Sequence, residues 1–111
     1  MLALFQTEWC PASHRVRERM TELGLDCVVR QVPADRRKRR DLVAATGTDT
    51  VPVLVTEDGQ TLEGEERILA YLGEHYLEPR GAWMHRARAE KIRRRYLAEE
   101  CACSEARTTG S

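Results

Sequence analysis

One cysteine in this chain stands where a thiol is most easily ionised and displayed. Trp9-Cys10-Pro11-Ala12-Ser13 lies between an apolar run, Leu2 to Phe5, and an amphipathic segment that opens with proline. Only the thiolate attacks a disulfide or binds a soft metal. At a helix N-terminus the free backbone N–H groups and the dipole favour a negative sulfur. A free cysteine titrates near roughly 8.5, and helix-start cysteines fall below that. Cys10 is therefore expected to be largely thiolate at neutral pH, with an inert buried cysteine as the plainer alternative.

Ser13 is informative through what it replaces. A two-cysteine redox motif carries its second thiol at that position, so Cys10 has no internal resolving partner three residues on. Ser13 either hydrogen-bonds to the sulfur or is a solvated first-turn residue. Trp9 either lines the thiol site or covers its rim as a half-buried side chain. His14 could tune the thiol, against the alternative of an exposed helix-start histidine.

These residues need elements to hold them. Leu2 to Phe5 reads as a short buried strand. Pro11 suits a first helical position, Val16, Met20 and Leu23 follow at helical spacing, and Gly24 ends the helix. Asp26 to Val32 reads as a second strand, central in the sheet, with Cys27 in the core. Asp35 can cap a helix over Arg36 to Ala45, stopped by Gly47. Val53-Leu54-Val55 is a third strand, Glu57 to Gln60 a hairpin turn, and Thr61-Leu62 a fourth strand. Ile68, Leu69, Leu72 and Tyr76 form one side of a helix from Glu65 to Tyr76, broken by Pro79-Arg80-Gly81. The order β-α-β-α-β-β-α implies a right-handed β-α-β crossover plus a hairpin, hence a mixed four-stranded sheet flanked by helices. An added C-terminal helix is expected over residues 81–100 and a disordered polar tail over 101–111.

The bulk numbers fit one compact α/β domain over residues 1–80: 111 residues, 41% hydrophobic. Eighteen basic and eighteen acidic side chains cancel, which argues against a nucleic-acid partner. The Arg36-Arg37-Lys38-Arg39-Arg40 cluster, without stacking aromatics, is expected to be a solvated helix face. No signal peptide or membrane-spanning run is visible, so a cytoplasmic location is expected. There Cys10, Cys27, Cys101 and Cys103 would be free thiols rather than a disulfide framework. Cys101-Ala102-Cys103 lacks a third ligand nearby, so no metal site is expected.

Cys10-Pro11-Ala12-Ser13, Thr50-Val51-Pro52 before the third strand, Gly64 opening the third helix and Ile68-Leu69-Ala70-Tyr71-Leu72 occur in one order. Together they resemble the thioredoxin fold, and within it the glutaredoxins and the N-terminal domain of glutathione transferases, over about residues 2–77. The resemblance implies a monothiol, glutaredoxin-like oxidoreductase with Cys10 as nucleophile, acting on mixed disulfides between proteins and a small thiol. That thiol is a co-substrate, and no tightly bound cofactor is implied. The resemblance also implies a cis Pro52 facing Cys10, with Val51 pairing its backbone with the bound thiol and Trp9, Pro11, Ser13, Gly64 and Glu65 around it. About thirty residues follow Gly81, short of the helical domain with which transferases bind bulky electrophiles, so conjugation is not expected.

Three departures stand out. Thr7 occupies the place where many glutaredoxins carry a glutathione-contacting lysine. Together with Pro11 it also breaks the Cys-Gly-Phe-Ser pattern of iron–sulfur cluster carriers, the first alternative function. A non-catalytic thiol-binding module is the second. Glu65 falls where the transferase pattern has a serine that helps to hold the γ-glutamyl carboxylate. Either Glu65 and Glu66 simply complement the helix dipole, or they repel that carboxylate and the physiological thiol is a neutral one such as mycothiol. An arginine of the 36–40 cluster could hold a ligand carboxylate. Oligomeric state is not legible.

Overall fold

The computed structural model describes residues 1–95. The expectations for Cys101, Cys103 and the tail lie outside the described residues. The chain divides into a first unit, Met1–Pro79, and a second that begins at Arg80. In the second, residues 82–95 are helical.

The first unit is built on a mixed sheet of order β2-β1-β3-β4. β1 (Leu2–Gln6) runs parallel to β2 (Cys27–Gln31) and antiparallel to β3 (Val53–Val55), which pairs antiparallel with β4 (Thr61–Glu63). Alternation of side chains along a strand then makes two cores. Leu4, Leu54 and Leu62 are in register and join Leu2 on one face. There they meet Val16, Met20 and Leu23 of α1 (Pro11–Leu23) and Ile68 and Leu72 of α3 (Glu65–His75). Phe5 and Val53, also in register, face the other way and pack with Val32 and with Leu42 of α2 (Arg40–Thr46). Each fully buried Leu or Ile stabilises the fold by roughly 1.5–3 kcal/mol, so the α1–α3 face is the larger contributor.

Helix ends follow local chemistry. Pro11 occupies the first turn of α1, and Gly24 closes it in the left-handed region (φ 66°, ψ 33°), its N–H bonding to Met20 and Thr21 carbonyls. Gly64 precedes α3 at φ 88°, ψ 153°, a conformation essentially reserved for glycine.

Two expectations are corrected. β2 lies at the sheet edge, not its centre, because the β-α-β crossover places it on the far side of β1 from β3. Cys27 is accordingly half-buried, and Val28 and Val29 are exposed. The single helix expected over Arg36 to Ala45 is instead a short 3-10 turn, Arg36–Lys38, followed by α2. Arg39 interrupts it (φ −90°, ψ 44°) because its guanidinium turns back to the Pro33 and Ala34 carbonyls at 2.8 and 3.2 Å. Asp35 caps the 3-10 turn through the Arg37 N–H, not an α-helix.

Candidate active site

Cys10 is the N-cap residue of α1, in extended conformation (φ −80°, ψ 118°). Its Sγ accepts from the Ser13 N–H at 3.4 Å. The approach is fixed by a turn in which the Cys10 N–H donates to the Thr7 carbonyl at 3.1 Å. The buried Thr7 hydroxyl in turn donates to the Val32 carbonyl at 3.0 Å, tying the loop to the end of β2. Below the loop the buried Gln6 side chain donates to Gln31 at 2.7 Å and accepts from Arg17, which also pairs with Glu8 at 3.6 Å.

Partial burial by itself pushes the Cys10 thiol up. The Ser13 side chain, the Ser13 and Ala12 backbone N–H groups and the Arg39 charge outweigh it, and the thiol lies below its ordinary range. The Ser13 hydroxyl is fully buried and has no well-formed hydrogen bond to another protein atom. Its dipole is thus free to turn towards the sulfur. Ser13 is not a solvated first-turn residue, because its side chain is buried.

The other residues of interest lie on separate segments. Val51-Pro52 is a cis peptide bond. Pro52 is buried, and its carbonyl accepts from the Gly64 N–H at 2.9 Å, so the start of α3 is hinged directly on this bond. Thr48 ties the same loop to β4 by donating to the Glu63 carboxylate at 3.0 Å and accepting from the Thr50 N–H at 3.2 Å. Trp9 is 83% exposed. This corrects the half-buried alternative: the indole projects from the turn instead of packing on the rim. His14 pairs with Glu18 at 2.6 Å and lies 3.3 Å from Arg17, leaving the sulfur to Ser13.

Glu65 does not present a bare carboxylate. Arg15 of α1 grips it with two hydrogen bonds, Nε to Oε2 at 2.5 Å and Nη2 to Oε1 at 2.7 Å. The Arg15 hydrogen bond holds the Glu65 carboxyl below the usual range. Glu65, with the Cys10 thiolate nearby, strengthens the Arg15 charge in return. Of the two alternatives for this position, dipole complement or repulsive carboxylate, neither included the pairing of Glu65 with Arg15 across α1 and α3.

The basic cluster is likewise more than a solvated face. Arg36 donates to the Asp49 carboxylate at 2.9 Å and Arg39 to the Asp49 carbonyl at 2.8 Å. Both grip the segment that leads into Val51-Pro52. Sequence reasoning passed over Arg15 and misjudged Arg39. Their partners lie 50 and 10 residues away, beyond any local pattern. Among the described residues no cluster of three metal-binding side chains occurs, and no helix is long and apolar enough to cross a membrane.

Residues 4–80 match the family described as glutathione S-transferase, N-terminal domain. Among solved structures, a glutathione S-transferase from Rhodospirillum rubrum F11 is 32% identical, with a TM-score of 0.61 over 71% of this chain and 35% of that one. A glutathione S-transferase domain-containing protein from Marinobacter aquaeolei VT8 is 29% identical (TM-score 0.58, 69% and 40%). A glutathione S-transferase from Sinorhizobium meliloti 1021 is 30% identical (TM-score 0.59, 67% and 32%). No match was found among curated protein sequences. The chain thus spans 32–40% of the length of these three solved relatives. A match over more than half of the chain places it in the glutathione S-transferase N-terminal domain family.

Proposed function

We propose that the first unit is a monothiol oxidoreductase acting on mixed disulfides between proteins and glutathione, with Cys10 as the nucleophile. The observation that carries this reading is the sulfur at the start of α1, hydrogen-bonded to the Ser13 N–H and held below its ordinary pKa by Ser13, Ala12 and Arg39. The Cys10 thiolate attacks the glutathione sulfur of the mixed disulfide. A Cys10–glutathione disulfide forms, the protein–glutathione bond breaks, and the protein leaves as a thiolate. A second glutathione thiolate then attacks the adduct, releasing glutathione disulfide and restoring Cys10. The net change is reduction of one protein–glutathione mixed disulfide by one glutathione thiolate, giving a protein thiolate and glutathione disulfide, with Cys10 unchanged.

Ser13 in place of a second thiol favours this monothiol course, because no neighbouring sulfur competes for the adduct. Glutathione is favoured over a neutral thiol such as mycothiol by the family and by the Arg15–Glu65 pair, which removes the repulsion a bare Glu65 would exert. In this reading Trp9, Pro11, Val51, Pro52, Gly64 and Glu65 surround the bound thiol.

The test is turnover of a glutathione mixed disulfide coupled to glutathione disulfide production. Wild-type protein is expected to turn over and Cys10→Ser to fall to the uncatalysed rate. Mass spectrometry is expected to find the adduct on Cys10 alone. Equal rates for both proteins would sink the enzymatic reading and leave a thiol-binding module. Faster turnover of a mycothiol mixed disulfide would displace glutathione from it.

A further inference from the structure

An open groove of about 480 Å³ runs along the 3-10 turn and α2, lined by Arg36, Arg37, Arg39 and Arg40, with Asp49 and the exposed Val43. The proposed function accounts for none of it beyond Arg39. Of the 10 basic side chains in the first unit, five lie in residues 36–40, leaving five to face 14 acidic ones. The positive charge of the first unit is thus concentrated here, on an otherwise acidic surface. Asp49 is the one carboxylate in the groove lining, and Arg36 already engages it at 2.9 Å. Arg37 pairs with the neighbouring Asp35 at 3.2 Å and is 90% exposed.

The groove is joined to the thiol site through Arg39. That residue lines the groove, bonds the Asp49 carbonyl three residues before Pro52, and lies near enough to Cys10 for its charge to favour the thiolate.

We propose that this groove docks an acidic peptide segment of the protein substrate, presenting its glutathionylated cysteine to Cys10. Carboxylates of the segment pair with Arg37 and Arg40, and an apolar side chain covers Val43. Guanidinium–carboxylate forks give this contact direction as well as charge. The acidic remainder of the unit repels such a segment everywhere else, so the groove acts by steering. The inference rests on the proposed oxidoreductase reading, whose failure the following experiment separates from its own.

Two glutathionylated peptides of equal length are compared, one with glutamates flanking the cysteine and one with lysines. A small glutathione–hydroxyethyl mixed disulfide serves as control. The acidic peptide is expected to have a kcat/KM about tenfold higher at low salt, a preference that salt erases. In Arg37→Gln/Arg40→Glu the preference is expected to vanish while turnover of the small disulfide stays unchanged. Glutamate suits the first turn of α2, and Arg36 and Arg39 still hold Asp49, so the variant keeps its fold. Equal rates for both peptides, with the small disulfide turned over, overturn the docking groove and spare the enzyme. Anisotropy of the same peptides with serine for cysteine reads docking without chemistry. Equal affinity there, or tighter binding of a single-stranded oligonucleotide, overturns the proposal whatever the turnover.

Discussion

At the residue scale the chemistry turns on how Cys10 is held. Its sulfur lies at the edge of water, where burial opposes ionisation, yet the groups around it win. Ser13 contributes twice, through its N–H and through a buried hydroxyl with no other well-formed partner. Ser13→Ala removes the second contribution only. The Cys10 pKa is expected to rise, read by ultraviolet absorbance of the thiolate, with Tm followed alongside. A fall in Tm with no change in titration would make Ser13 a packing residue. The sign of the wild-type pH dependence follows from the same shift. The folded thiol titrates below the unfolded one, so thiolate reactivity rises as pH climbs through the lowered value and then levels off. The stability this group contributes is present above the unfolded value and lost as pH falls through the folded one.

At the scale of elements the site is an agreement between three helix starts and two loops. α1 supplies Cys10 and Arg15, α3 supplies Glu65, and the 3-10 turn with Arg39 braces the segment before Pro52. Gly64 is the joint between β4 and α3: its N–H reaches the Pro52 carbonyl at 2.9 Å and its φ is 88°. Gly64→Ala meets no steric obstacle, since no atom lies within 4 Å of the added carbon. The cost is therefore backbone strain, of order 1–3 kcal/mol. Urea unfolding is expected to show a lowered midpoint at unchanged slope, and a shift in Glu65 relative to Arg15 should raise KM for the small mixed disulfide. An unchanged midpoint would mean that the chain relaxes into another turn. Cys10, Pro11, Ser13 and Gly24 were legible in sequence because caps and first-turn prolines are local devices. The Arg39 break was not, because a guanidinium reaching carbonyls five, six and ten residues away competes with helix continuation, and propensity carries no term for that.

Across the whole first unit, side-chain hydrogen bonds hold surface carboxylates, and two of them, Arg36 to Asp49 and Arg15 to Glu65, join separate segments. Asp35, Asp49, Asp58 and Glu65 are all held below the usual carboxylate range, in each case chiefly by a side-chain hydrogen bond: from Arg37, Arg36, Thr56 and Arg15 respectively. Since the folded values lie below the unfolded ones, the unfolded chain binds more protons in that window. Stability is therefore expected to fall as pH drops through the carboxylate range towards about pH 3. All four groups are exposed or partly exposed, so the loss should be modest and reduced by salt. Melting curves against pH at low and high ionic strength check this. A Tm independent of pH over that range would show that the pairs contribute nothing net.

The sequence by itself determined the four strands, the starts of α1 and α3, the place of Cys10 at the start of α1 and the absence of a neighbouring resolving thiol. All of these follow from interactions within a few residues: alternation, caps, a proline in a first turn, a serine three places on. The tertiary structure alone decided that β2 is an edge strand, that Glu65 is neutralised by Arg15, and that Arg36 and Arg39 grip Asp49 beside the thiol site. The crossover handedness and the folding of distant loops onto one another set these contacts, and a charge's partner is known only once the chain has brought the two together. Glu65 read in sequence as either a partner of the helix dipole or a repulsive carboxylate, and the arginine cluster as a solvated face. Paired in space, they become a bridge from α1 to α3 and a brace on the segment before Pro52.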